Sequence, residues 1–158
     1  MNIPESMKTE LSAWNDGKGI DLESWVGCAG NFSLAVGYSS IFWPEFVEFD
    51  GLLLRKGFSE NSLREWRSQP GCTRKSIQWV MNHLHIADIQ HYGCDDISKD
   101  KIKILGRVLK EIYEAKLKQQ FPEQPCVVEF YEPEDEDDLL EYQLSFWQAE
   151  HGECTTAQ

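Results

Sequence analysis

The stretch Ile41-Phe-Trp-Pro-Glu-Phe-Val-Glu-Phe-Asp-Gly-Leu-Leu-Leu-Arg55 decides how this chain folds. Phe46, Val47 and Phe49 lead up to Asp50-Gly51, and Leu52, Leu53 and Leu54 leave it. An Asp-Gly pair tolerates the positive φ angles of a two-residue type I′ turn, so the stretch predicts a tight β-hairpin. Pro44 stops whatever precedes the hairpin, because its ring removes a donor and restricts Trp43. Apolar residues on both arms demand a covering layer on at least one face.

Upstream, Leu34, Ala35, Tyr38, Ile41 and Phe42 recur at helical spacing behind Asn31 and predict a helix over 32–42, with a buried strand as the competing reading. Asp21 stands where it would cap a short helix over 22–28, with Glu23 in the first turn. Residues 1–19 are polar and contain the loop Asn15-Asp-Gly-Lys-Gly19, which predicts an arm anchored by Trp14. Downstream, Ser62-Leu-Arg-Glu65 has the spacing of a capping box. Thr73 opens a firmer helix with Ile77, Val80, Met81 and Leu84 on one stripe, and residues 88–96 read as a loop. Ser98 precedes the longest apolar stripe: Ile102, Leu105, Val108, Leu109, Ile112 and Tyr113. Lys99, Lys101, Lys103, Arg107 and Lys110 fill much of the remaining surface, and Pro122 ends the helix.

The last third changes period. Cys126 to Tyr131 reads as a strand, and Leu140, Tyr142, Leu144 and Phe146 alternate with Glu141, Gln143, Ser145 and Trp147. Between them Glu132-Pro-Glu-Asp-Glu-Asp-Asp138 packs six carboxylates into seven residues. Mutual repulsion predicts an extended, solvated loop whose neutralisation would leave stability level or raise it. The tail from Glu150 is predicted to be disordered. Together these elements predict an α+β class: a single domain over 1–158 in which two β-hairpins form one antiparallel sheet packed against several helices.

The net charge is −12, and it is unevenly spread: −6 over residues 1–50, +5 over 51–119 and −11 over 120–158. Such a field repels phosphates, which argues against nucleic acid and favours a basic protein partner. No run is long enough to span a membrane, and the polar start lacks a signal peptide, so a cytoplasmic protein without a membrane partner is expected. Five widely spaced cysteines (28, 72, 94, 126, 154) without a CxxC suit reduced thiols.

Few motifs suggest chemistry. No phosphate-binding loop, dinucleotide fingerprint or nucleophile elbow occurs. His83, His85, His91 and Cys94 fall within twelve residues and are of types that zinc accepts, but the spacing fits no standard pattern, so neither metal nor cofactor is expected. Glu45 with His85 is the pair an enzyme reading would use, and hairpin edges exposed for pairing are what a scaffold subunit would use. The residues best suited to meet a partner are the acidic run, Glu132, Glu134, Asp135, Glu136, Asp137 and Asp138, with Trp43 and Trp147 as aromatic anchors.

The segments Trp43-Pro-Glu-Phe-Val-Glu-Phe-Asp-Gly51 and Tyr142-Gln-Leu-Ser-Phe-Trp147, with the size and acidity of the chain, resemble the small immunity proteins of bacterial polymorphic toxin systems. That resemblance implies a binding protein whose acidic surface occupies the active site of a cognate toxin. It implies no particular site residues.

Overall fold

A computed structural model describes residues 3–90 and 94–151. In chain order these form α1 (Lys8–Gly17), α2 (Leu22–Ala29), α3 (Phe32–Phe42), β1 (Phe46–Phe49), β2 (Leu52–Arg55), α4 (Glu60–Ser68), α5 (Arg74–Asn82), β3 (Leu84–His85), α6 (Lys99–Gln120), β4 (Cys126–Tyr131) and β5 (Gln143–Gln148). The class is α+β, as expected. The two hairpins, however, do not share a sheet. β1 and β2 form a two-stranded antiparallel ribbon, and β3-β5-β4 form a separate antiparallel sheet with β5 in the centre.

The Asp50-Gly51 turn has positive φ at both residues, 50° and 71°, as the type I′ geometry requires. Arg67 Nη1 donates to Asp50 Oδ2 at 2.8 Å and Arg74 Nη2 to the Gly51 carbonyl oxygen at 2.6 Å, so α4 and α5 clamp the turn. Both faces of β2 are covered. Leu53 joins Phe46, Leu109, Tyr113 and Phe146 in the main core, while Leu52 and Leu54 pack with Leu63 and Ile77 in a second cluster.

β5 departs from the half-exposed alternation read in the sequence, because all of Leu144 to Gln148 is buried. Leu144 and Phe146 face the α6 side. On the other side Ser145 Oγ donates to the Trp79 carbonyl oxygen of α5 at 2.7 Å, and Trp147 meets Trp79 edge to face at 5.8 Å. The apolar face expected for α6 is present: Ile102 and Leu109 are buried and Leu105 and Ile112 pack beside them. Gly106 lets the Phe130 ring of β4 approach so closely that a Cβ there would lie 2.2 Å from it.

Four local expectations change. α5 stops at Asn82, and Leu84 and His85 pair with β5 instead of extending the helix. The cap of α4 is Ser59, whose side chain accepts from Ser62 N, so the predicted capping box lies one turn too late. Ser98 precedes α6, but its hydroxyl bonds to Asp100 and not to the helix backbone. The N-terminal arm is tied down, since Ser6 N and Oγ donate to the Asp100 carboxylate at 2.8 and 3.0 Å and Leu11 is buried. Of the predicted tail, Glu150 sits in a 3-10 turn and the residues after His151 lie outside the described residues.

Candidate functional site: a pinned acidic loop

The acidic run is not extended. It folds back onto the first three turns of α6, whose basic face it neutralises. Lys99 Nζ lies 2.7 Å from Asp137 and 3.6 Å from Glu136. Lys103 Nζ lies 3.1 Å from Glu136 and 3.2 Å from Glu132, and Arg107 Nη2 is 3.0 Å from Glu132. The hydrogen bond from Lys103 holds the Glu136 carboxyl below its ordinary value, and that from Lys99 does the same for Asp137. At Glu132 burial pushes upward, but hydrogen bonds from Arg107 and Lys103 outweigh it and the pKa falls.

Internal contacts fix the loop further. Pro133 is buried, Asp137 N donates to Asp135 Oδ1 at 3.1 Å, and Tyr142 OH donates to the Glu136 carbonyl oxygen at 3.0 Å. The expectation of a solvated, self-repelling loop overlooked that the neutralising cations sit 25 to 38 positions upstream, brought opposite by the β4–β5 hairpin. Three of the six carboxylates, Glu134, Asp135 and Asp138, are exposed and have no ion pair among the described residues. They stand on a loop whose neighbouring carboxylates are paired with α6.

The aromatic anchors divide. Trp43 is half exposed, at 48 %, with Lys116 Nζ 4.7 Å over its ring. Trp147 is only 5 % exposed, held between Trp79 and Lys75, so it is core and not available to a partner. The exposed aromatic that adjoins the loop is Tyr131, the last residue of β4. It shares the outer face of that edge strand with Val127 and Glu129. Period-two reading of Cys126–Tyr131 contains this signal, because Val128 and Phe130 claim the core side and leave Val127, Glu129 and Tyr131 outside.

The histidines are satisfied by backbone. His83 Nδ1 pairs with the Val80 carbonyl oxygen and His85 Nδ1 with that of Leu140 at 2.7 Å, and the two rings meet edge to face. Cys94 is exposed on the rim of a cleft of about 320 Å³, mostly apolar, between α6, Tyr38 and residues 86–90. His91 lies outside the described residues. Among the described residues no three His, Cys, Asp or Glu side chains converge as metal ligands would. Glu45 pairs with Lys56 at 2.5 Å, and no contact among the described residues brings it to His85. Burial pushes the Cys126 thiol up to about 11, which keeps it protonated and a poor nucleophile. No helix among the described residues is long and apolar enough to cross a membrane.

No family model matches the chain, and neither a curated protein nor a solved structure matches it.

Proposed function

We propose that this protein is a stoichiometric binding protein of the immunity type, which neutralises a basic bacterial toxin domain in the cytoplasm by direct association. The docking face is the acidic loop with the adjoining outer face of β4. One observation carries this reading: Glu134, Asp135 and Asp138 are presented without ion pairs on a loop that Lys99, Lys103 and Arg107 hold against α6. Many of the other cations are engaged internally, on Glu5, Asp50, Glu60 and Asp96, on the Gly51 carbonyl, and over the rings of Trp147 and Trp43. With a net charge of −12, the field that an approaching molecule meets is negative, which steers a basic partner and repels nucleic acid. Preorganised carboxylates also cost less ordering entropy on binding than a flexible run would. Tyr131, next to the loop, supplies an aromatic contact of the kind that anchors interfaces.

The test is co-purification and titration calorimetry with a basic toxin-like protein, sought first among the genes neighbouring this one. A one-to-one complex that silences that protein's activity, and that Glu134→Gln/Asp135→Asn/Asp138→Asn weakens, is the expected result. Absence of a complex at low salt contradicts the reading.

A further inference from the structure

α3 carries apolar side chains on two opposite faces, with Ser33, Gly37 and Ser40 along the flank between them. Tyr38, Ile41 and Phe42 face α6, where Tyr113 OH donates to the Ile41 carbonyl oxygen at 3.1 Å. Phe32 and Val36 lie on the opposite stripe, 91 % and 71 % exposed, and neither α2 nor α3 has a single buried residue. An apolar helix stripe normally packs against a neighbour, so the Phe32–Val36 stripe lacks its cover. From Ser24 to Pro44 the chain carries no charged residue, although the protein as a whole is at −12.

Beside the protruding Phe32 lies an open groove of about 440 Å³ between α2 and α3, lined by Trp25, Val26, Leu34, Ala35 and Phe32 itself. A knob and a hole on the same patch are self-complementary. When both belong to one patch, a two-fold axis lets each copy fill the other's groove, and the contact closes as a dimer instead of propagating into a fibre. On the flank of the stripe, Ser33, Gly37 and Ser40 form a row of small residues at helical spacing. Open space surrounds Gly37 where a Cβ would stand, which leaves room for a second helix to come close.

The area is of the right order. Val26, Phe32, Leu34 and Val36 are between 49 % and 91 % exposed. With a fully exposed aromatic side chain offering about 150–250 Å² and the aliphatic ones less, these four present on the order of 500 Å² of apolar surface. A standard interface buries about 800 Å² per partner, a gap that the small residues and backbone between them would fill. The patch itself holds no charged side chain, since the chain from Ser24 to Pro44 carries none, so two copies packed through it bury no charge between them.

We infer that α2 and α3 form an isologous dimer interface in which Phe32 of each copy seats in the α2–α3 groove of a second copy. Because each copy carries −12, the approach is repulsive and the contact apolar, so the dimer tightens with added salt. Binding of a basic partner at the acidic loop would weaken under the same change, which separates this inference from the proposed function.

The experiment is sedimentation velocity of the full chain over a micromolar concentration series at low and high salt, comparing wild type with Phe32→Asp and Val36→Asp. Aspartate at the first position of α3 suits the helix dipole, and both side chains are exposed, so the variants keep the wild-type melting temperature measured on the monomer. The expected result is a monomer–dimer equilibrium that strengthens with salt and weakens by about tenfold or more in each variant. A wild type that stays monomeric throughout overturns the inference. So does a dimer that both variants preserve. In the monomeric case, binding to neutral phosphatidylcholine vesicles would mark the face as a lipid contact instead.

Discussion

The side-chain amide of Asn82 donates to the carbonyl oxygen of Leu53 at 2.9 Å, in the place where a neighbouring strand would otherwise pair with β2. The same Nδ2 donates to the Phe146 carbonyl oxygen on β5 at 3.0 Å, and Asn82 Oδ1 accepts from Arg55 N at 3.0 Å. Gln148 Oε1 accepts from Leu53 N at 3.4 Å, and Gln148 Nε2 donates to Gln124 Oε1 at 2.9 Å. Side-chain amides thus satisfy the outer edge of β2 and tie it to β5 without merging the two sheets. Every buried side-chain polar atom among the described residues has a partner, so this network joins the layers at no desolvation deficit.

Replacing Asn82 by Ala strands Leu53 O, Phe146 O and Arg55 N in a dry seam. A loss of about 3 kcal/mol in urea unfolding is expected, since each unsatisfied buried group costs on the order of 1–3 kcal/mol. A loss within the range of ordinary surface substitutions, under about 0.5 kcal/mol, would show that water or a slipped strand replaces the amide.

Leu109 is fully buried at the centre of the α6 face. Its truncation to Ala should cost roughly 2–5 kcal/mol by calorimetry or urea titration. An effect below about 0.5 kcal/mol would mean that α6 does not cover the sheets.

At Gly106 helix propensity and packing oppose each other. Ala is the better helix former, yet its Cβ would lie 2.2 Å from the Phe130 ring. Packing wins: Gly106→Ala should destabilise by about 1–3 kcal/mol. Combining it with Phe130→Leu, which removes the ring edge, should cost less than the two changes added separately. Strict additivity in that double-mutant cycle would refute the contact.

The carboxylates at the α6 start impose a pH dependence. Hydrogen bonds from the Ser6 backbone N–H and then from the Ser98 hydroxyl lower Asp100, and lysines on α6 lower Glu136 and Asp137. With ordinary values of 4.5 for Glu and 3.8 for Asp, the unfolded chain binds more protons than the folded one below that range. Stability from these groups is therefore complete above about pH 4.5 and is lost as the pH falls through the lowered values. Asp100→Asn should flatten the fall in urea midpoint between neutral pH and about pH 3. An unchanged slope would show that the Ser6–Asp100 contact does not contribute.

Local chemistry was legible in the sequence. Asp50-Gly51 marked the ribbon, Thr73 the start of α5, and the Ile102–Tyr113 stripe the covering helix. What was hidden depended on distant partners. Ser145 and Gln148 look like solvent positions until α5 and Gln124 arrive to bond them, so β5 read as half exposed. Asn82 ends an apolar stripe, and nothing near it in sequence announces that two strands await its amide. The acidic run reads as repulsive because Lys99, Lys103 and Arg107 are remote in the chain. Tyr131 was available from the period of its strand but was overshadowed by the tryptophans, of which Trp147 proved to be core.

The measurement that bears most directly on the acidic loop as a steering surface is stopped-flow association with the basic partner across a salt series. Two variants separate steering from folding. Glu134→Gln/Asp135→Asn/Asp138→Asn removes unpaired charge only, and should lower the on-rate several-fold at low salt while leaving the off-rate and melting temperature nearly unchanged. Glu132→Gln/Glu136→Gln/Asp137→Asn breaks the contacts with Lys99, Lys103 and Arg107 and should lower the melting temperature, the reverse of what repulsion alone predicts. The difference in on-rate between the first variant and wild type should vanish as salt shortens the screening length to under about 10 Å. An on-rate indifferent to the first variant and to salt would contradict the account and leave the loop a structural clasp on α6.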